Sequence, residues 1–257
     1  MQKRHSVLEL AVQAGEILLE NGAEVFRVQQ TMEIIAAAYG AEEFHVYVLT
    51  NGIFASMAED GVNHVARLEN VPQASVHLGR IDGVNTLSRQ IAQGNVPMEQ
   101  AFDELDRIRA IPVLSLPLQM LACGAGSAFF TLLFGGKWPD FFCAFAAGLL
   151  LHVYLWRAEK NKTNKIITRL MGAALVTAVA SVCMVVGVGN DMDKIIIGSI
   201  MPLVPGIALT MAIRDFFNSD YLSGTIRLID ALIIGLSIAT GVGAVLGFAS
   251  MVLGVQL

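Results

Sequence analysis

Five apolar stretches dominate the second half of this chain, and each is close to the roughly 20 residues that a helix needs to cross a bilayer. They run at about 113–134, 138–156, 170–189, 195–213 and 227–254. A bilayer accepts such segments only as helices, because every backbone polar group must be satisfied inside the protein. The sequence therefore predicts an all-α polytopic membrane bundle of about five transmembrane helices, in a domain at 112–257.

Charge divides the chain at the same place. Residues 1–110 contain 8 Lys+Arg and 15 Asp+Glu, whereas residues 111–257 contain 9 and 7. This distribution predicts an acidic, soluble domain at 1–111, and its negative charge argues against a nucleic-acid partner. The first residues lack the apolar run of a signal peptide, so we expect this domain to stay in the cytoplasm.

The soluble domain alternates between two periodicities. Amphipathic helical patterns are followed by three β-rich stretches and then by two further helical patterns, which predicts an α+β fold in the order ααβββαα. The elements are helices at 5–21 and 24–38, strands at 44–50, 53–58 and 62–68, and helices at about 82–93 and from Pro97. Asn51-Gly52 and Asp60-Gly61 join the strands, and such dipeptides predict type I′ hairpin turns in an antiparallel meander.

The loop cations predict the orientation in the membrane. The loops at 156–169 and 214–227 carry most of the Lys and Arg residues of this half, and the other loops carry only Lys137 and Lys194. The positive-inside rule then places those two loops in the cytoplasm. We expect a multi-pass protein of the inner (plasma) membrane with its amino terminus inside and its carboxyl terminus outside.

The fourth span contains a helix-breaking sequence near its middle. Pro202, Pro205 and Gly206 interrupt it, and each proline removes a backbone donor. Broken helices expose backbone polar groups to solutes in many transporters. The alternative interpretation is a structural kink that binds nothing.

Ionisable residues lie in or beside the last spans, where charge is costly and usually has a partner or a function. Arg214 and Asp215 end the fourth span, and Asp230 lies about one turn into the fifth, where it could serve in coupling or pair with Arg227 at the interface. His152, in the second span, could relay protons or make a hydrogen-bonded packing contact.

The soluble domain offers weaker candidates. His45, His64 and His77 have no metal-ligand spacing, and Cys123, Cys143 and Cys183 are expected to be small buried hydrophobes. Glu16, Glu24 and Arg27 could form a hydrolytic or binding constellation, or simply a solvated helix face. The chain has no GxSxG, P-loop or GxGxxG motif, so we expect no cofactor, no metal and no catalytic residue.

Two blocks of sequence resemble the threonine/serine exporter (ThrE) family. The first comprises GEILLENGAEVFRVQQTM (15–32) and LTNGIFASM (49–57), and the second is LVPGIALTMAIRDFFNSDYLSGTIRLIDALI (203–233). The chain is similar to the longer, YjjP-like subunit of the split form. Matching positions are Gly22, Glu24, Arg27, Pro205, Gly206, Arg214, Asp215, Gly224 and Asp230, and position 211 is Met where many relatives are expected to be polar.

The resemblance implies secondary export of small polar metabolites, of threonine/serine type or, as in split members, of C4-dicarboxylates such as succinate. It also implies a second small membrane subunit, of about 150 residues with four or five spans, that completes the exporter. Two other classes stay open at this point. One is a hydrolase anchored to the membrane that uses the amino-terminal domain, and the other is a scaffold subunit.

Overall fold

A computed structural model describes residues 6–41, 43–59, 62–69, 71 and 76–253. The chain forms two compact units, and each of them is made of two separated pieces of chain. Unit 1 comprises Met1–Val113 and Ile213–Gly224, and unit 2 comprises Leu114–Ala212 and Thr225–Leu257.

The sheet of unit 1 is the predicted three-stranded meander. Both pairs are antiparallel in the order β1-β2-β3, with Val48 opposite Ile53 and Ile53 opposite Leu68. The elements follow the order ααβββαα: α1 (Val7–Glu20), α2 (Val25–Ala38), β1 (Phe44–Leu49), β2 (Gly52–Glu59), β3 (Val62–Glu69), α3 (Leu78–Ala92) and α4 (Met98–Arg109).

The first hairpin turn differs from the prediction. Thr50 and Asn51 form the loop, Gly52 already belongs to β2, and neither Asn51 nor Gly52 has a positive φ. The turn is therefore not type I′. Instead, the absence of a side chain at Gly52 allows β2 and β3 to lie close together, since a Cβ there would lie 3.0 Å from the carbonyl oxygen of Leu68. The predicted Asp60-Gly61 turn falls outside the described residues.

Capping residues set the helix boundaries in unit 1. α1 ends at Glu20, close to the predicted end at residue 21, and Gly22 then reverses the chain with a φ of +82°. α3 begins at Leu78, earlier than the sequence indicates, because the ring Nδ1 of His77 accepts a hydrogen bond from the backbone N–H of Arg80. Pro97 is the N-cap of α4 and not its first helical residue.

One hydrophobic core holds unit 1 together. The apolar faces of α1 and α2 meet the inner face of the sheet, while α3 packs against α1 and α2 and α4 packs against α1 and α3. Leu10, Ile17, Met32, Ile53 and Leu105 are completely buried. Each member of this core lies between Leu8 and Ile108, so the core does not depend on the second piece of the unit.

The described part of unit 2 consists of helices and the segments that join them. The helical elements are α5 (Leu116–Leu133), α6 (Trp138–Lys160), α7 (Lys165–Val185), α8 (Met192–Ile200), a 3₁₀ turn (Met201–Leu203), α9 (Gly206–Phe217) and α10 (Tyr221–Leu253), of which the last two run in part through unit 1. Among the described residues, four helices are long and apolar enough to cross a membrane, and five if the bent pair Met192–Leu203 and Gly206–Phe217 is one span. The higher count agrees with the five predicted spans.

Glycines allow two very close helix contacts in unit 2. A Cβ at Gly198 of α8 would lie 2.0 Å from Oγ1 of Thr131 on α5, and one at Gly241 of α10 would lie 2.2 Å from the carbonyl oxygen of Leu170 on α7. Gly243 and Gly247 of α10 have the GxxxG spacing that is typical of helix contacts in membranes, but they behave differently. A Cβ at Gly243 or Gly247 would meet no described atom within 4 Å, so this pair makes no close contact within the described chain.

Asp140 joins the two loops at one end of unit 2. It is completely buried in the first turn of α6. One carboxylate oxygen accepts the backbone N–H of Lys137 at 2.8 Å, and the other accepts those of Asn190 and Asp191 at 2.7 and 3.0 Å. Three backbone donors therefore stabilise the charged carboxylate, and two of them hold the 187–191 loop against the start of α6.

Candidate functional site

The helix is broken where the two prolines lie. α8 ends at Ile200, a 3₁₀ turn follows, and α9 starts at Gly206 with its axis bent by 59°. The backbone N–H of Val204 bonds the carbonyl of Met201 at 3.2 Å, three residues back, because the prolines cannot continue the regular ladder. Gly206 is not required by packing, since a Cβ there would meet no described atom within 4 Å.

The break does not lie midway along the bundle. Its neighbours are Arg169, four residues after the start of α7, and His152, eight residues before the end of α6. At 1.5 Å per residue, these positions lie roughly 6–12 Å from the helix ends that flank the 161–164 loop. The break therefore lies toward the side of the bundle that the loop cations predict to be cytoplasmic.

A recess of about 370 Å³ opens beside the break. It brings together two residues singled out from the sequence, His152 and Pro202. The other lining residues come from α5, α6 and the 3₁₀ turn: Ala122, Cys123, Gly126, Phe130, Leu155 and Met201. The recess is largely apolar, with an imidazole and a thiol as its reactive groups.

Gln119 selects the tautomer of the His152 ring, that is, which ring nitrogen carries the hydrogen. Its amide nitrogen donates to the carbonyl of Leu114 at 2.7 Å, so its amide oxygen faces Nε2 of His152 at 3.0 Å. An amide oxygen only accepts, so Nε2 carries a hydrogen and Nδ1 is the nitrogen that can take up a proton. Sequence reasoning missed Gln119, although a lone amide in an apolar span is a signal.

Arg169 also reaches the break. Its guanidinium nitrogen lies 3.4 Å from the carbonyl oxygen of Pro202, the residue that lines the recess. From the sequence, Arg169 was only one of several loop cations. The structure places it inside α7 and half-buried, where a charge requires an explanation.

A second group of predicted residues meets in unit 1. The carboxylate of Glu24, at the start of α2, pairs with the guanidinium of Arg214. The left-handed turn at Gly22 directs the chain into α2 and so positions Glu24. Asp215 is 3% exposed and lines a recess of about 270 Å³ together with Val25, Phe26, Gln29, Tyr47, Val48, Asn218, Ser219 and Asp220.

The remaining candidates have separate partners. Asp230 pairs with Lys165 at 2.6 Å, and Met211 accepts a hydrogen bond from Arg227. Glu16 pairs with Arg109, whereas Arg27 bonds Gln30 on the exposed face of α2. Because Glu16, Glu24 and Arg27 have three different partners, the structure does not assemble them into one hydrolytic site.

The described residues contain no group of three or more His, Cys, Asp or Glu side chains able to hold a metal ion. His45 and His64 lie on β1 and β3, while His77 caps α3 and contacts the carbonyl of Pro112. Each of the three cysteines is a free thiol. Cys143 is buried, and Cys123 and Cys183 are half-buried.

The profile of a known family, described as "Putative threonine/serine exporter", matches residues 9–249. The chain belongs to the threonine/serine exporter family. Together with the apolar helices, this membership makes it a membrane protein of an exporter family.

Three similar proteins carry transport names. A probable threonine/serine exporter of Mycobacterium tuberculosis is 25% identical over 92% of this chain and 45% of its own length. The threonine/serine exporter of Corynebacterium glutamicum is 23% identical over 92% and 50%. The probable succinate transporter subunit YjjP of Escherichia coli is 23% identical over 95% and 94%.

This member of the exporter family thus spans about half the length of the two threonine/serine exporters that it matches, and nearly all of YjjP. No solved structure matches the chain.

Proposed function

We propose that this chain is a subunit of a secondary-active exporter in the inner membrane, and that the solute passes beside the broken helix at Pro202–Gly206. The recess that His152 and Pro202 share is the observation that carries the proposal. The break leaves backbone groups outside the regular ladder, and an imidazole beside them can exchange protons.

The proposed solutes are small polar metabolites of threonine/serine type, with a C4-dicarboxylate such as succinate as the alternative. The names of the matched relatives support both classes. Free carbonyls at a break accept hydrogen bonds from ammonium and hydroxyl groups, and the amides at the start of α9 favour a carboxylate. An amino acid offers these groups, and a dicarboxylate offers the carboxylate twice.

The proposal includes a second small membrane subunit. The support is that YjjP, which this chain matches along 94% of the length of YjjP, is named a transporter subunit. We also propose that the amino terminus lies in the cytoplasm and the carboxyl terminus outside, and that Asp215 and Asp230 tune charge selection. A reporter fused after Leu257 that is active only in the cytoplasm would contradict this orientation.

The test is solute flux in proteoliposomes that contain the chain and its co-purified partner subunit, loaded with labelled L-threonine, L-serine or succinate. Pro205→Ala and His152→Gln should each lower export while the amount of protein in the membrane is unchanged. Pro139→Ala is the matched control, because Pro139 is exposed in the first turn of α6, at the opposite end of that helix from His152. Normal export by both variants would place the pathway elsewhere.

A further inference from the structure

Arg169 is a cation without a role in the function proposed above. It is the fifth residue of α7, its side chain is half-buried, and it reaches the carbonyl oxygen of Pro202 at 3.4 Å. A guanidinium cannot lose its proton in a protein, so it stays charged within the apolar bundle. Such a charge inside a span needs an anion or a watery surrounding.

The protein supplies only part of what this guanidinium can bind. It has five N–H donors, and within the described part of the chain it makes one hydrogen bond and no ion pair. Asp230 is near enough to act on Arg169 electrostatically, but its carboxylate pairs with Lys165 at 2.6 Å. Arg169 therefore has donors available for an anion from outside the chain.

The planar fork of a guanidinium matches a carboxylate, which it binds through two parallel hydrogen bonds. The proposed solute classes have the carboxylate in common, although an amino acid and a dicarboxylate differ elsewhere. We propose that Arg169 binds the carboxylate of the solute at the break, so that the transporter selects small carboxylates. This inference rests on the proposed function, and it adds the group that is recognised.

The proposal predicts discrimination between a carboxylate and its neutral amide. L-threonine and L-threonine amide have the same hydroxyl and amino groups and nearly the same size, and succinate and succinamide form a second pair. The native protein should prefer each carboxylate about 10- to 100-fold, the effect expected of a charged bidentate contact. Arg169→Gln should reduce this preference to about twofold or less, because the fixed charge is gone.

The experiment measures competition by unlabelled carboxylate and amide against labelled L-threonine or succinate, in proteoliposomes of the two-subunit complex. Arg157→Gln is the matched control, since it removes an exposed cation near the same end of the neighbouring helix α6. The control should keep the native preference. An Arg169→Gln variant with the native preference would overturn the proposal. If this variant does not reach the membrane, Arg169→Lys decides, because a lysine keeps the charge without the fork and should lower the preference.

A binding measurement separates the two proposals. The thermal stability of the purified full chain is followed with added succinate, L-threonine and the two amides. Stabilisation by carboxylates that Arg169→Gln abolishes supports the role of Arg169, even if no flux occurs and the exporter proposal fails. Flux with an unaltered preference in the variant would remove the role of Arg169 and leave the exporter proposal intact. If neither flux nor carboxylate binding occurs in the native protein, both proposals are wrong.

Discussion

The guanidinium of Arg214 bonds the carboxylate of Glu24, which lies 190 residues earlier in the sequence. Arg214 is in the last turn of α9, and Glu24 precedes the first residue of α2. One end of α9 is thus fixed by this ion pair, and the other end begins at the break. The pair therefore helps to set the position of α9, whose other end begins at the break.

We therefore predict that the pair influences transport more than stability. Glu24→Arg and Arg214→Glu should each lower export, and the double variant with exchanged charges should recover much of it. The side chains are 21% and 59% exposed, so we expect the pair to contribute only about 0.2–1 kcal/mol to stability. The double-mutant cycle is therefore measured both on thermal unfolding and on flux. The same exchange at Glu16 and Arg109, a pair that does not involve α9, is the control. A double variant no better than the worse single variant would contradict the prediction.

A fragment of residues 1–113 should fold alone. The core of unit 1 lies entirely between Leu8 and Ile108, and the sheet is covered by helices of the same fragment. We expect one cooperative thermal transition by circular dichroism, since a single core of this size unfolds as a unit. A gradual loss of signal would show that the fragment needs the segment at 213–224.

Asp140 should be needed for the stability of unit 2. Asp140→Ala leaves three backbone donors without their charged acceptor, which should cost roughly 3 kcal/mol or more. Asp140→Asn should cost less, because its amide oxygen can still accept from Asn190 and Asp191. The measurement is the melting temperature of the purified protein in detergent. Asp193→Asn, at an exposed position in the first turn of α8, should leave it unchanged.

Gly198→Ala should loosen the contact between α5 and α8. Its Cβ would lie 2.0 Å from Oγ1 of Thr131 and 2.6 Å from the backbone nitrogen of the same residue, so a backbone must move. Overpacking of this kind costs about 1–3 kcal/mol, and the melting temperature should fall. Gly235→Ala on α10 is the control, because its Cβ would meet no described atom within 4 Å. Equal melting temperatures for the two variants would contradict the prediction.

Cys123 reports whether the recess at the break holds water. In a variant with Cys143 and Cys183 replaced by alanine, a charged methanethiosulfonate reagent should modify Cys123, and saturating solute should slow the reaction. A permanent charge does not enter a cavity filled with lipid, so the reagent tests the surroundings of the thiol directly. Modification only by membrane-permeant N-ethylmaleimide would indicate a lipid-facing groove. Cys183, kept as the single cysteine, provides the comparison.

Most of the fold follows from local sequence patterns. The structure agrees with three predictions that depend only on residues close together in the chain. These are the strands, predicted from their period of two, the membrane helices, predicted from the length of the apolar stretches, and the end of the first helix near residue 21. The predicted turn type at Asn51-Gly52 was wrong, because Gly52 lies within β2 and packs closely against the carbonyl of Leu68, a residue distant in sequence. Such tertiary contacts override turn preferences, and a single sequence does not contain them.

The candidate site was only partly accessible from the sequence, for the same reason. Pro202 and His152 could be named from their residue types and positions in apolar spans. Their shared recess, the contact of Gln119 with His152 and that of Arg169 with Pro202 depend on how helices from different parts of the chain lie together. Arg169 was counted with the loop cations because the predicted span started at 170, whereas α7 starts at Lys165.

The division of unit 1 into two pieces has a consequence for synthesis on the ribosome. Val113 and Gly224 are 111 residues apart, and a bacterial ribosome adds about 5–20 residues each second. Roughly 6–22 s therefore pass between translation of the amino-terminal piece and translation of the second piece, which completes the recess lined by Asp215. Until residues 214 and 215 have been translated, Glu24 lacks its partner Arg214, and the recess in unit 1 lacks Asp215. A chaperone or the translocation machinery has this window in which to hold the half-built domain.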